Sequence, residues 1–262
     1  MAGEVLSQRA LNRAMLSRQL MLDQAGLPED PGPRRAAVIR AIEHLVGLQA
    51  QAPFPPYYGL WSRLPGFRPD DLASLHTSAE HWLGRHARAV PWFPETLSGL
   101  VTRYLAAFGP ATVADVAAWS GLTGLRAVLE ELRPSLATFR DEQGAELFDL
   151  PSAPRPDPDT PAPVRLAAEF DNLLLAHADR TRVVSAANLR RFYTINGVLP
   201  GSVLVDGFVA GMWRLARSKG SATLAIELFD PVPDRDLVAA EAQRMLAFCA
   251  PEAAHEIRFG PA

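Results

Sequence analysis

The sequence predicts an α+β protein: a helix-turn-helix module, a winged-helix module, and a small β-rich C-terminal domain (a barrel or sandwich) closed by a terminal helix. Three observations carry this. Residues 1–64 hold three short helical patterns joined by brief loops. Residues 97–150 run helix, helix, helix, hairpin, which is the winged-helix order. Pro151 to Pro163 holds six prolines in thirteen residues, and beyond it the texture turns to short strands. A chain of 262 residues and 28.5 kDa suits two or three small domains. At 48% hydrophobic and 21% charged it can bury a core. The boundaries fall at 1–90, 91–150, a linker at 151–163, and 164–262.

Each element has its own signals. Ser7 is placed to cap a helix over Ser7–Gln24, with Leu11, Ala14, Met15 and Leu22 on one face and Gly26-Leu27-Pro28 as its stop. Pro28–Pro33 reads as a loop. Val38, Ile42, Leu45 and Val46 share a face of the second helix, and Tyr57–Leu64 makes a short third. Leu97–Phe108 is periodic and stops at Gly109-Pro110. Thr112 and Asp115 form a capping-box start for Thr112–Ser120, with Asp in place of Glu. Gly121 ends that helix, and Thr123 caps the next, which runs to Arg133. Leu136–Arg140 and Ala145–Leu150 alternate around the turn Asp141–Gly144. The helix before this hairpin offers Arg126 and Arg133 but also Glu130 and Glu131. That is a poor balance for reading phosphates or bases, so the module reads as architectural.

The proline run reads as an extended connector. After it, Val203–Val205 and Phe208–Ala210 flank Asp206-Gly207, a type I′ hairpin signal. Leu224–Leu228 is a further strand. Asp234–Ala250 is a helix with Val238, Ala242, Met245 and Cys249 on one face, where Cys249 is inert core.

Composition excludes several function classes. A net charge of −3 excludes a uniformly basic nucleic-acid binder. The single cysteine excludes a disulfide scaffold and a Cys-rich zinc site. Arg9, Arg13 and Arg18 interrupt the start of the chain, so no signal-peptide core is expected, and no apolar run approaches membrane-spanning length. A soluble, cytoplasmic protein without membrane contact is expected. His76, His81 and His86 are five apart and lack companion carboxylates, so no metal site is expected, nor any cofactor.

Charge is unevenly spread. Residues 141–179 carry a net of −7, and residues 180–220 a net of +6. The basic block, with Arg180, Arg182, Arg190, Arg191 and Arg214, is the candidate footprint for a polyanion. It reads equally as a solvated face paired with its acidic neighbours. Arg190 and Arg191, with no acid nearby in the block, are the better phosphate candidates.

Gln49-Ala50-Gln51 is the most informative short stretch. Pro53 disfavours helix at Ala52, and an extended chain at Gln49 brings both amides to one side. Two convergent amides can hold a water beside an electron-poor centre. Neither can act as a strong base, because glutamine does not titrate. The residues alone also fit two polar groups at a helix end. The aromatics near Pro55, Tyr58 and Trp61 either wedge against bases or fill a small core.

The run His44–Pro53 (HLVGLQAQAP), followed by Tyr58–Leu64 (YGLWSRL), resembles the AlkZ-like family, winged-helix DNA glycosylases associated with azinomycin resistance. Tyr104–Leu122, Glu169–Arg180 (EFDNLLLAHADR), Asn196–Trp213 and Leu246–Phe259 are similar to further blocks of that family, so the likeness covers nearly the whole chain. The resemblance implies tandem winged-helix modules followed by a small C-terminal β-barrel-like domain, set around a concave surface for double-stranded DNA. It implies hydrolysis of the N-glycosidic bond of bulky or cross-linked N7-alkylated guanine, in repair or self-resistance. It places the catalytic Gln-X-Gln element on Gln49 and Gln51. Such chemistry suits amides: an N7-alkylguanine is already cationic, leaves neutral, and needs no general acid. His177 and Arg180 fall in the strongest block and are candidate phosphate contacts beside Arg182, Arg190, Arg191 and Arg214.

Against the family pattern, Leu75–Ser78 runs almost directly into Ala79–Arg85, which resembles sequence from beyond a further module. The chain reads as internally shortened, without the first wing and the middle module. The alternative is therefore a non-catalytic winged-helix DNA-binding protein that lost its activity with that module. A third reading is a remnant that serves protein contacts only.

Overall fold

The computed structural model describes residues 4–22, 25–48, 52–76, 96–192 and 199–260. The chain opens with β1 (Val5–Leu6) and α1 (Gln8–Arg18). Ser7 caps α1, its hydroxyl accepting from the Ala10 amide at 3.1 Å. The helix stops at Arg18, short of the expected Gln24. There the Met21 and Leu20 amides turn back to the Leu16 and Ser17 carbonyls, with Leu20 at φ 57°. This is a Schellman end that a left-handed leucine closes in place of glycine.

Next come α2 (Pro31–His44), α3 (Pro55–Trp61) and α4 (Pro69–His76). α2 begins inside the expected loop, because Pro31 and Pro33 fit the first helical turn, where no amide donor is needed. Val38, Ile42, Leu60, Leu64, Leu72 and Leu75 form the core of this unit. The buried Arg34 forks onto Asp71, with both bonds at 2.6 Å, and ties α2 to α4.

The second unit holds α5 (Leu97–Phe108), α6 (Val113–Ser120), α7 (Leu125–Leu132), β2 (Ala137–Asp141) and β3 (Glu146–Asp149). The capping box forms: the Thr112 amide donates to Asp115 at 2.9 Å, and the Asp115 amide to Thr112 Oγ1 at 3.1 Å. α7 begins after Gly124, which takes the left-handed conformation at its start, so Thr123 is not the cap. β2 and β3 form the expected hairpin. β1 adds alongside β2 in parallel, giving a three-stranded mixed sheet.

The third unit holds β4 (Arg165–Ala167), α8 (Asn172–Leu175), α9 (Ala186–Phe192), β5 (Gly201–Val205), β6 (Phe208–Ser218), β7 (Ser221–Leu228), α10 (Arg235–Cys249) and β8 (Ala254–Phe259). These strands make one mixed sheet in the order β4-β5-β6-β7-β8, with β8 parallel to β7 after the α10 crossover. The expected barrel is corrected to an open sheet. β4 has only three residues, β4 and β8 are opposite edges, and α10 covers the face that closure would bury. Trp213 is the centre of that face, and its indole N–H donates to the Ala167 carbonyl at 2.9 Å. Asp206 and Gly207 both have positive φ, 49° and 81°, as a type I′ turn requires.

α1 ties the units together. It is largely buried and carries two fully buried arginines, which must therefore be paired. Arg13 reaches Asp206 and, at 2.6 Å, the Thr160 carbonyl. Arg18 reaches the buried Asp149 at 2.9 Å and the Leu105 and Pro154 carbonyls. The proline-rich stretch is corrected accordingly. It is not a free spacer but folds through turns at Leu150–Ala153 and Asp157–Thr160, laid against α1. Prolines lack amide donors yet keep their carbonyls, and the arginines of α1 need acceptors. Among the described residues no helix is long and apolar enough to cross a membrane.

Candidate active-site cleft

Gln49 and Gln51 lie outside the described residues, as do His81 and His86. The chain on either side of the glutamine pair is described. α2 ends in a second Schellman turn, with the Gly47 amide on the Ile42 carbonyl and the Val46 amide on Glu43. Val46 stands at φ 57°, a costly conformation for a β-branched side chain. Its strain is held by the turn and by Asn172, whose amide reaches the Gly47 carbonyl at 3.4 Å. On the far side, Phe54 and Pro55 start α3.

Leu48 and Pro55 line one wall of a narrow cleft, and Glu169, Phe170 and Asn172 line the other. Phe170 is a second left-handed residue that is not glycine, at φ 55°. Asp171 caps α8 by accepting from the Leu173 amide at 3.0 Å. It also receives both guanidinium nitrogens of Arg63, at 2.8 and 2.7 Å. Arg63 donates as well to the Gly59 carbonyl at 3.0 Å and to Gln19 at 3.3 Å. Three segments distant in sequence thus meet at the floor of the cleft.

The Glu169 carboxyl is half-buried, and burial raises its pKa. Burial likewise pushes the Tyr58 hydroxyl up to about 12, against the nearby Arg217. Arg217 donates to Tyr58 at 3.0 Å and lies 4.8 Å over the half-exposed ring of Phe54. Tyr58 packs edge-on against Trp213 and belongs to the core of the third unit.

The remaining site candidates scatter. His177 is 1% exposed, donates to the Phe108 carbonyl at 3.1 Å, and has a pKa lowered to about 3 by burial and by Arg182. Arg182 is buried between the Pro110 carbonyl, at 2.8 Å, and Asp115, at 3.6 Å. Both lie in the joint between α6 and the third unit, where Asp115 also accepts from the Ala178 amide. Arg180 is partly buried. Arg191 is exposed, yet it donates to the Phe229 carbonyl at 2.6 Å and lies 4.7 Å over the Phe229 ring. Arg190 and Arg214 face solvent, as do Arg217 and Lys219 at the end of the β6–β7 hairpin. Glu169, Asp171 and Arg63 were not singled out from sequence. Glu169 and Asp171 stood in the Glu169–Arg180 block, whose resemblance was the available signal.

With α2, α3 and the Glu169–Asn172 block converging on one cleft, the chain can be placed among known proteins. The family model described as DNA glycosylase AlkZ-like matches residues 42–77 and 73–248, and the chain belongs to that family of DNA glycosylases. The two matched stretches meet at residues 73–77, close to the point where the sequence reads as shortened. In three dimensions the chain is similar to the DNA glycosylase AlkZ of Streptomyces sahachiroi, with a TM-score of 0.75. That match covers 98% of this chain and 100% of that one, at 13% identity, and it shows a shared fold. No curated protein matches the chain in sequence.

Proposed function

We propose that this protein hydrolyses the N-glycosidic bond of N7-alkylated guanine, including bulky or cross-linked adducts, in double-stranded DNA. The observation that carries the reading is the frame around residues 49–51. A strained Schellman turn delivers the chain to Leu48, Pro55 takes it up again, and both line the cleft opposite Glu169–Asn172. In this reading Gln49 and Gln51 position the attacking water and turn their carbonyl dipoles toward the electron-poor sugar. The departing base carries its own positive charge and leaves neutral. A cross-linked base cannot swing freely from the stack, so a deep extrusion pocket is not required. The narrow cleft agrees with that.

α5–α7 with the β2–β3 hairpin is read as a winged helix of architectural role. Arg133 supports this, since it is occupied by Glu130 and Glu146 at 2.6 to 3.0 Å and is not free to meet phosphate. Arg180, Arg190, Arg191 and Arg214 would hold the DNA backbone, joined by Lys219. His177 and Arg182, buried in the joint, serve the reading by fixing that unit.

The test is release of N7-methylguanine from methylated duplex DNA, with the Gln49→Ala/Gln51→Ala double variant beside it. Release that the variant loses is the expected outcome. Salt-dependent DNA binding without release would favour the non-catalytic binder. Neither binding nor release would leave only a role in protein contacts.

A further inference from the structure

Among the described residues, the cleft holds one acid with no partner. Asp171 is fully engaged by Arg63 and by the Leu173 amide. Glu169, two residues earlier, lines the same cleft and makes no hydrogen bond or ion pair with any described residue. Its backbone leads into Phe170, whose left-handed conformation turns the chain sharply between the two acids. The charged groups around it among the described residues are already occupied. Arg63 is bound to Asp171, and Arg217 lies on Tyr58 and Phe54. α2 and the start of α3 contribute only Leu45, Leu48 and Pro55 to the cleft, and α1 contributes the neutral Gln19. A half-buried carboxylate with no counter-cation among the described residues, at the edge of a strained turn, is costly unless something else uses it.

We propose that Glu169 is the general base of the reaction. This rests on the glycosylase reading above. Glutamine amides orient a water but cannot accept its proton, whereas a carboxylate can. As the C1′–N9 bond breaks, its electron pair passes to the alkylated purine, which leaves neutral. Water oxygen then bonds to C1′ of the cationic sugar, and the proton that water sheds goes to the Glu169 carboxylate and later to solvent. Before attack, the same negative charge faces the developing positive charge on the sugar. Partial burial raises the basicity of the carboxylate, which is the direction a general base needs.

The experiment compares four forms of the full chain on methylated duplex DNA across pH 5–9: wild type, Glu169→Gln, Glu169→Asp and Gln49→Ala/Gln51→Ala. Base release, DNA binding and thermal melting are measured for each. Glu169→Gln removes no described contact, so its melting and binding should stay unchanged while its release rate falls by about 100-fold or more. The acid limb of the pH profile should vanish with it. Glu169→Asp keeps a carboxylate and should keep that limb at a reduced rate. If Glu169→Gln retains the wild-type rate and limb while the glutamine double variant is inactive, Glu169 is not the base and the glycosylase reading stands. If Glu169→Asp loses the limb, the assignment is likewise overturned. If the wild type releases no base, the glycosylase reading falls and this assignment falls with it.

Discussion

Arg63 and Asp171 form a buried fork-to-fork pair, with nitrogen–oxygen distances of 2.8 and 2.7 Å, that joins the end of α3 to the cap of α8 across 108 residues of sequence. It sets the spacing of the two cleft walls. Removing either partner strands a charge in a closed site, which typically costs about 3–5 kcal/mol. Arg63→Ala and Asp171→Ala should each lower the melting temperature by roughly 10 °C, taking roughly 2–4 °C per kcal/mol for a chain of this size. The double variant should lose much less than the sum of the two. Additive losses in such a cycle would show that the pair is not coupled.

His177 makes stability sensitive to acid. Its imidazole titrates near 6.5 in the unfolded chain and about 3 in the folded one, because burial and Arg182 disfavour its charged form. Between those values the unfolded chain holds a proton that the folded chain does not. Acidification therefore favours unfolding: stability is complete above about pH 6.5 and is lost toward pH 3, by at most about 1.4 kcal/mol per unit. Asp115, whose pKa is lowered by Arg182 and by its hydrogen bonds from Thr112 against the cost of burial, adds loss in the same direction at the acid end. His177→Gln keeps a donor for the Phe108 carbonyl and should flatten the upper part of this dependence in urea titrations. An unchanged slope in the variant would exclude His177 as its source.

The hairpin turn at Asp206-Gly207 is docked on α1. A Cβ at Gly207 would stand 2.5 Å from both Asn12 Oδ1 and Leu16 Cδ1, at φ 81°. Gly207→Ala combines a left-handed alanine with overpacking and should cost about 2–4 kcal/mol. Gly220, also left-handed but with open space around it, provides the control. Gly220→Ala should cost only about 1 kcal/mol. Equal losses at both sites in denaturant melts would remove α1 contact as the cause.

The exposed basic side chains should govern affinity through salt. Arg190→Ala and Arg214→Ala should each reduce the slope of log K against log salt by about 1 if each neutralises one phosphate. The Gln49→Ala/Gln51→Ala variant should leave that slope unchanged. A slope that no arginine variant alters would place the DNA on another face.

Features written into a few adjacent residues were legible in the sequence. Thr112 and Asp115 spell a capping box because both partners sit within one turn, and Asp206-Gly207 spells its turn because two successive left-handed residues are needed there. α4, α8 and β1 were missed, since eight, four and two residues carry too little periodicity. The burial of Arg13 and Arg18 was not legible, because their acceptors Thr160, Asp149 and Asp206 lie far along the chain. At the cleft, the resemblance marks the Glu169–Arg180 block, in which His177 and Arg180 stand out by residue type. The pairing that occupies Asp171 and leaves Glu169 without a partner among the described residues exists only in three dimensions.

The burial of α1 also bears on how the chain is made. A ribosome emits Arg13 and Arg18 early, yet their partners Asp149, Thr160 and Asp206 follow 131, 147 and 193 residues later. At roughly 5–20 residues per second, that is a wait of about ten seconds or more. Until then α1 has neither its apolar cover nor its counter-charges. α1 is therefore made well before it can find its place, and nascent chains halted before Asp206 should remain open to protease within α1.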